Sequence, residues 1–295
     1  MGKANPGSGQ GRLTLTRTRR ANKEARPCLP VPKRPSFRIM AVESILITGA
    51  SSGIGAALAR AYAAPGVTLF LSGRDSTRLE AVASECAGLG ARARPSIVDV
   101  TDADACARWI GASDDAAPLD LVVANAGIAV GIGTGAGPFE KEAERMRHML
   151  DVNVGGTLNT VVPAIARMRP RRRGQIGIVS SLASFVGAPG AGAYCASKAA
   201  QRLLGEALRV ELAGDGIAVS VICPGFIRTP MIAGNRHPMP FLMEPDRAAA
   251  IIRRGLAANR GRIAFPLPMY WLTFLGACLP SAVTEWGMRR FGPKG

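Results

Sequence analysis

Residues 44–55 read SILITGASSGIG, and this stretch indicates the fold. Its apolar beginning predicts a buried strand at Ser44–Thr48, and the residues after it predict a helix at Ala56–Ala64. Glycines at positions 49, 53 and 55 predict a tight turn between the two. Because the strand lacks polar alternation, both of its faces should be covered by protein, which is typical of a parallel sheet.

The same alternation of short apolar runs and longer helical stretches continues along the chain. The other predicted strands are Val67–Ser72, Arg94–Val98, Leu119–Ala124, Gln175–Ser180 and Ala218–Cys223, and the other predicted helices are Ser76–Ala87, Asp102–Ile110, Glu140–Met168 and Tyr194–Leu212. Strands separated by helices predict a single α/β domain of the doubly wound Rossmann type, with a mainly parallel sheet and helices on both faces. We place this domain at residues 41–265 and an apolar C-terminal extension at residues 266–295.

The charge of the 295-residue chain is uneven, and its formal value is +16. Residues 1–40 hold ten basic residues and one acidic residue, so +9 lies there and +7 on the remainder. This segment has no apolar period, and we expect a disordered basic leader or sequence upstream of a start at Met40. A transit peptide and a nucleic-acid-binding arm are the alternatives, and Phe37 is the only aromatic residue available there for stacking on bases.

Metal binding and membrane spanning are both disfavoured by the composition. Six scattered cysteines form no CxxC pair, and His148 and His237 are the only histidines, so we expect no metal site. No apolar run reaches about 18 residues without a charge or a proline, so we expect no spanning helix. Unpaired cysteines favour a reducing compartment, and we expect a cytoplasmic protein.

The glycine-rich turn predicts a dinucleotide site. The amides at the start of a helix bind a pyrophosphate, and glycines allow the backbone to approach it closely. The predicted contacts are Gly49, Ser51, Ser52, Gly53, Ile54 and Gly55. At the end of the second strand, Gly73 takes the place of the acid that would bind the ribose of NAD, and Arg74 follows it. A guanidinium suits a 2′-phosphate, so NADP(H) is preferred over NAD(H), and Asp75 is expected in the turn or as a helix cap.

Acid–base chemistry is indicated by Ser181, Tyr194 and Lys198. The tyrosine and the lysine are four residues apart, so they share one face of the predicted helix. A nearby ammonium would lower the pKa of the phenol from about 10 towards neutrality. Ser181 follows the end of a strand, where it could donate a hydrogen bond to a substrate carbonyl.

With these motifs in this order, residues 43–265 resemble the short-chain dehydrogenase/reductase family. Thr48–Gly55 is similar to the family's TGxxxGxG cofactor loop, and Ser181 stands thirteen residues before Tyr194, as it does in the family. Further matches are Asp99 and Val100 at the adenine, Asn125, Ala126 and Gly127 beside the nicotinamide, Asn153 as the structural and relay asparagine, and Pro224, Gly225, Ile227 and Thr229 at the carboxamide. Ala124 departs from the pattern, since a second asparagine is common there.

The resemblance implies an NADP-dependent carbonyl reductase. Tyr194 would donate the proton, Lys198 would lower its pKa and hold the ribose, and Ser181 would polarise the carbonyl. Asn153 would support a water that returns the proton through Lys198. An NAD-dependent alcohol dehydrogenase of the same family and a non-catalytic dinucleotide sensor are the alternatives, and the family commonly forms homo-oligomers.

Substrate specificity is expected in the segment after Pro224. Its large apolar and aromatic residues would form a pocket for a hydrophobic carbonyl compound, or would simply pack on the core. These candidates are Met231, Ile232, His237, Met239, Phe241, Leu242 and Met243. The tail Ile263–Phe291 is more apolar than an exposed end should be. It would seal the pocket, form a subunit contact or lie in a membrane interface.

Overall fold

A computed structural model describes residues 42–129, 139–234 and 238–291 of the chain. Seven strands and nine α-helices occur in these ranges. The strands are β1 (Ser44–Ile47), β2 (Thr68–Gly73), β3 (Arg92–Ile97), β4 (Leu121–Ala124), β5 (Gly174–Val179), β6 (Ile217–Pro224) and β7 (Arg262–Phe265). The helices are α1 (Gly53–Tyr62), α2 (Ser76–Gly88), α3 (Ala103–Ala116), α4 (Phe139–Leu150), α5 (Gly156–Met168), α6 (Gly192–Glu211), α7 (Pro245–Ala257), α8 (Leu267–Ala277) and α9 (Ser281–Phe291).

The seven strands form one sheet in the order β3-β2-β1-β4-β5-β6-β7, and every neighbouring pair is parallel. The predicted α/β fold of the doubly wound type is therefore confirmed. The strand order reverses between β1 and β4, which lie side by side with Ile45 opposite Leu121. Ligands of such sheets bind beyond the carboxyl ends of the strands at this reversal.

The apolar strands are explained by two cores, one on each side of the sheet. Ile45 and Ile47 of β1 pack into one cluster, whereas Leu46 between them packs into the other. All three side chains are fully buried. Since successive side chains of a strand point to opposite faces, a strand covered on both sides needs an apolar residue at every position. Burying one such side chain contributes about 1.5–3 kcal/mol to stability.

Several elements differ from the sequence predictions. The long helix predicted over Glu140–Met168 is divided by a π-helical turn at Asp151–Gly155 into α4 and α5. Strand β7 and helices α7, α8 and α9 were not predicted at all. The prolines before α7 concealed it, although Pro245 occupies its first turn, where a missing amide costs nothing. Strand β7 has four residues of alternating burial and begins with an arginine, which hid it within the apolar tail.

The C-terminal helices α8 and α9 have eleven residues each. No helix within the described ranges is both long enough and apolar enough to cross a bilayer. Within the same ranges, no group of three or more His, Cys, Asp and Glu side chains is placed to hold a metal ion.

Candidate active site

The turn between β1 and α1 depends on glycine at three positions. Gly49 and Gly53 have φ values of +66° and +56°, a region that side chains strongly disfavour. A Cβ atom at Gly55 would collide with the carbonyl oxygen of Gly49 and lie 2.6 Å from Nδ2 of Asn125. The Ser52 side chain makes no capping bond to the start of α1. The first amides of this helix therefore point towards the cleft without an intrahelical acceptor, as an anion site requires.

A hydrogen-bonded crosslink joins the carboxyl ends of β1 and β4. Oγ1 of Thr48 accepts from the amides of Asn125 and Ala126 at 3.0 and 3.1 Å. In return, Nδ2 of Asn125 donates to the carbonyls of Thr48 and Gly49 at 2.9 and 3.1 Å. Thr48 was not among the predicted site residues. Its signals in the sequence were a hydroxyl residue at the end of an otherwise apolar strand and its place at the start of the TGxxxGxG loop.

The end of β2 carries the charges expected to select the cofactor. Arg74 is exposed and lines the cleft. Asp75 caps α2 by accepting from the amide of Arg78 at 3.0 Å, and it also pairs with the Arg78 guanidinium. These bonds, led by the one from the Arg78 amide, hold the pKa of Asp75 below its usual value. The prediction of Asp75 as a helix cap is confirmed. Arg78, which the sequence reasoning missed, lines the same part of the cleft.

The adjacent acid, Asp99, follows strand β3. Its Oδ1 accepts from the amide and the hydroxyl of Thr101 at 2.9 and 2.8 Å. The bond from the Thr101 amide is the main reason why the pKa of Asp99 lies below its usual value, and nearby Arg74 lowers it further. Asp99 is therefore an ionised acceptor at neutral pH.

Ser181, Tyr194 and Lys198 meet at the other end of the cleft. Ser181 follows β5 and caps a short 3₁₀ turn by accepting from the amide of Ala183 at 3.1 Å. Tyr194 lies in the first turn of α6 and Lys198 one turn later. Nζ of Lys198 lies 5.7 Å from the centre of the Tyr194 ring and donates to the carbonyl of Val179 at 3.1 Å.

The pKa values in this cluster differ from the sequence expectation. Burial raises the pKa of Tyr194, while a hydrogen bond from Ser181 lowers it by a smaller amount. The predicted lowering by Lys198 is not seen in this structure, where burial determines the direction of the shift. Burial lowers the pKa of Lys198 to about 8. Tyr194 is therefore protonated at neutral pH, which is the form that a general acid needs.

Asn153 lies beneath the cleft in the π-helical turn between α4 and α5 and is completely buried. Its side chain accepts from the amide of Ile128 at 2.8 Å and donates to the Ile128 carbonyl at 3.0 Å and to Oγ of Ser197 at 2.9 Å. Its own carbonyl accepts from Gln201 and Thr157. These contacts join the loop after β4 to α6. Ser197, Gln201 and Thr157 were missed, since their burial depends on how α5 and α6 pack.

The predicted site residues surround one cleft of about 350 Å³. Those that line it are Gly49, Ser51, Ser52, Gly53, Ile54, Arg74, Asp99, Val100, Asn125, Ala126, Gly127, Ser181, Tyr194, Lys198, Pro224, Gly225, Ile227 and Thr229. Gly55 and Asn153 stand behind the lining and shape it through the contacts above. Two of the glycines that line the cleft lie close to neighbouring side chains. A Cβ at Gly53 would lie 2.8 Å from Thr229, and one at Gly127 would lie 3.4 Å from Nζ of Lys198.

The residues predicted to determine substrate specificity lie in different environments. Met231 and Ile232 line the cleft, whereas Met243 is buried in the core and forms a bridge with Ile227. Phe241 is exposed. Met239 and Leu242 are half-buried, and His237 lies outside the described residues. No described residue of the tail after β7 lines the cleft, so the expectation that this segment seals the pocket is not met.

The groups around the cleft fit a dinucleotide. An anion-binding turn lies at the strand reversal, a basic side chain and an ionised acid lie at one end, and a phenol with a serine hydroxyl lies at the other. This is the site of a dinucleotide-binding α/β oxidoreductase. The family model described as short chain dehydrogenase matches residues 43–239. The chain belongs to that family, as its motifs predicted, and it is an NAD(P)-dependent oxidoreductase.

Relatives of known sequence and structure agree with this assignment. An uncharacterized oxidoreductase of Myxococcus xanthus is 39% identical over 252 residues, which cover 85% of this chain and 98% of that protein. A short-chain type dehydrogenase/reductase from Mycobacterium marinum has a TM-score of 0.68 and 29% identity, covering 78% of this chain and 95% of that one. A short-chain dehydrogenase from Sphingobium yanoikuyae, solved in complex with NADPH, has a TM-score of 0.69 and 26% identity, and the match covers 86% of this chain and 97% of that one.

Proposed function

We propose that this protein is an NADP-dependent reductase of ketones or aldehydes, with Tyr194 as the general acid. One observation carries the proposal. Ser181, Tyr194 and Lys198 converge at one end of the cleft, and Arg74 stands at the other end beyond the anion-binding turn. A carbonyl substrate beside Tyr194 would then lie where the reactive end of a bound dinucleotide reaches.

The residues of the chain have separate tasks in this reaction, for which bound NADPH supplies the hydride. The Tyr194 hydroxyl donates a proton to the carbonyl oxygen, and its raised pKa keeps that proton available at neutral pH. The Ser181 hydroxyl donates a second hydrogen bond to the same oxygen and stabilises the charge that develops on it. Lys198 would hold the nicotinamide ribose. Asn153 positions the loop after β4 and supports the water that returns the proton.

The preference for NADP(H) over NAD(H) is supported by the chemistry at the end of β2. Gly73 stands where an acid would accept from the ribose hydroxyls of NAD(H). The carboxylate of Asp75 is already engaged in capping α2 and in its pair with Arg78. Arg74 is exposed at the cleft and has the planar donor pair that suits a phosphate.

The substrate we propose is apolar. Met231 and Ile232 line the cleft near the proposed substrate position, and unbranched thioether and aliphatic side chains adapt to apolar ligands. We further infer that the protein works in the cytoplasm as a homo-oligomer, with a peripheral membrane contact through the C-terminal tail.

The test measures NADPH and NADH oxidation across ketones graded by chain length, using the wild type and Tyr194→Phe. The wild type should favour NADPH and apolar ketones, and Tyr194→Phe should bind NADPH normally while losing turnover by ~100-fold or more. Unchanged turnover in Tyr194→Phe would refute the acid role. Higher activity with NADH would favour the alcohol dehydrogenase alternative. Cofactor binding without turnover on any carbonyl or alcohol would favour a sensor.

A further inference from the structure

Helix α8 is apolar on both its inner and its outer face. On the inner face, Tyr270 and Phe274 contact Phe185 through edge-to-face ring pairs, with centroids 5.6 and 6.2 Å apart. Arg262 of β7 donates to the Tyr270 hydroxyl at 3.2 Å, which ties the helix to the sheet. These contacts determine which face of α8 packs against the rest of the domain, so the opposite face of the helix is its outer face.

That outer face consists of large apolar side chains. Leu267, Trp271 and Leu275 recur every four residues and are exposed, and Leu272 beside them is 74% exposed. Leu279, Val283 and Trp286 continue the exposed apolar set into α9. We call these seven side chains the tail surface. The exposed side of a helix is normally polar, and a helix that is apolar all round is normally covered.

The charge around the tail surface is strongly one-sided. The sequence contains no charged residue from Ile263 to Thr284. Beyond it, one acid, Glu285, is followed by Arg289, Arg290 and Lys294. The chain as a whole has a formal charge of +16. An apolar helix face followed in the sequence by basic residues is typical of a segment that lies in the surface of an anionic bilayer.

We propose that the tail surface inserts into the headgroup region of a bilayer that contains anionic lipids. Each helix of eleven residues is about 16 Å long, roughly half of the hydrocarbon thickness, so the helices lie along the surface instead of crossing it. Trp271 suits this position, because an indole places its apolar ring in the acyl boundary and its N–H among the headgroups.

A bilayer fits this surface better than a second copy of the chain. In a pair formed through the tail surface, the basic residues that follow Glu285 in the two sequences would repel one another, whereas anionic headgroups neutralise them. Apolar insertion and basic attraction also act together, and stable peripheral binding needs two such signals. The inference extends the proposed function by naming its membrane partner.

The test is flotation of the full chain, without cofactor or substrate, with vesicles of phosphatidylcholine or of equimolar phosphatidylcholine and phosphatidylglycerol. The triple variant Trp271→Ser/Leu272→Ser/Leu275→Ser removes the centre of the tail surface. The matched control is Val162→Ser/Leu203→Ser/Val210→Ser, which replaces three equally exposed apolar residues of α5 and α6. Circular dichroism and NADPH binding should be unchanged in both variants, because none of the six side chains is buried or lines the cleft.

We expect the wild type and the control to float with the anionic vesicles. The triple variant should bind at least about tenfold more weakly. Neutral vesicles should bind the wild type about 25-fold more weakly than anionic ones, since each basic residue near an anionic surface contributes a factor of about five and the sequence after Thr284 has a net charge of +2. No binding by the wild type, or equal binding by the triple variant, would overturn the proposal. Loss of a dimer in the triple variant without vesicle binding would assign the surface to a second copy. None of these results affects the reductase assignment, which rests on turnover.

The three tryptophans of the chain provide a second measurement. A variant that keeps only Trp271 (Trp109→Phe/Trp286→Phe) should be quenched by bromine-labelled lipids in anionic vesicles. A variant that keeps only Trp109 (Trp271→Phe/Trp286→Phe) should not be quenched, because Trp109 packs against the core. Equal quenching of the two variants would contradict insertion through the tail surface.

Discussion

Replacing Thr48 by valine tests whether the crosslink between β1 and β4 shapes the cofactor cleft. Valine has nearly the same shape, and Thr48 is 1% exposed, so packing is retained while the hydroxyl is lost. The amides of Asn125 and Ala126 then lose their acceptor at 3.0 and 3.1 Å. An unpaired buried amide costs about 1–3 kcal/mol, and both amides are only partly buried, so we expect a loss of about 2 kcal/mol in the free energy of unfolding.

The matched control is Thr160→Val, at a position that is also fully buried. The Thr160 hydroxyl only donates to the Gly156 carbonyl, four residues earlier in the same helix, so its removal leaves no amide unpaired. We expect that variant to change the free energy of unfolding by less than about 1 kcal/mol. Urea unfolding followed by circular dichroism measures both values, and NADPH titration measures the effect on the cleft. Equal destabilisation by the two variants, or unchanged NADPH affinity in Thr48→Val, would refute the reasoning.

Three further predictions concern the cofactor turn and the buried lysine. Arg74→Ala should raise the KM for NADPH by about 10–100-fold and leave the KM for NADH nearly unchanged, because a charge-assisted bond to a phosphate contributes roughly 1.5–3 kcal/mol. Steady-state assays with both cofactors measure these values, and equal effects on the two would contradict the role assigned to Arg74. Gly55→Ala should destabilise the protein by about 1–3 kcal/mol and abolish NADPH binding. The control is Gly111→Ala, whose added Cβ atom would have no neighbouring atom within 4 Å. This variant should be neutral or stabilising in the same urea unfolding and NADPH titration experiments. The pKa of Lys198 is lowered from 10.5 to about 8, so between these values the unfolded chain binds more protons and stability should rise with pH. Buried thiols such as Cys106 and Cys223 have raised pKa values of about 11 and change stability in the opposite direction, so the comparison is made between the wild type and Lys198→Met. In urea unfolding from pH 8 upwards, the stability of the wild type should rise relative to that of Lys198→Met, and parallel profiles would contradict the assignment.

The layout of the fold and most of the cleft lining were predictable because they depend on local patterns. Strand β1 needs apolar residues on both faces, and the turn after it needs glycine where φ is positive. Both requirements are met by residues that are consecutive in the sequence. Strand β7 and helix α7 were not predictable in this way, since a short edge strand and a helix that follows several prolines have weak local signals.

Contacts between distant segments lay outside what local patterns could indicate. Thr48 and Asn125 are 77 residues apart, and Asn153 and Ser197 are 44 apart, so only the packed sheet and helices bring their side chains within hydrogen-bond distance. The raised pKa of Tyr194 has the same origin. Spacing placed Lys198 near the phenol, but burial determines the direction of the shift.

The sequence by itself determined the family, the parallel α/β architecture and the residue types around the cleft, because strand burial, turn geometry and helix spacing are local properties. The tertiary structure decided which hydroxyls and amides form the hydrogen bonds behind the cleft, in which direction the pKa of Tyr194 shifts, and which side chains of the apolar tail are exposed. Those properties depend on desolvation and on which surfaces meet, and both arise only when the distant segments are packed together.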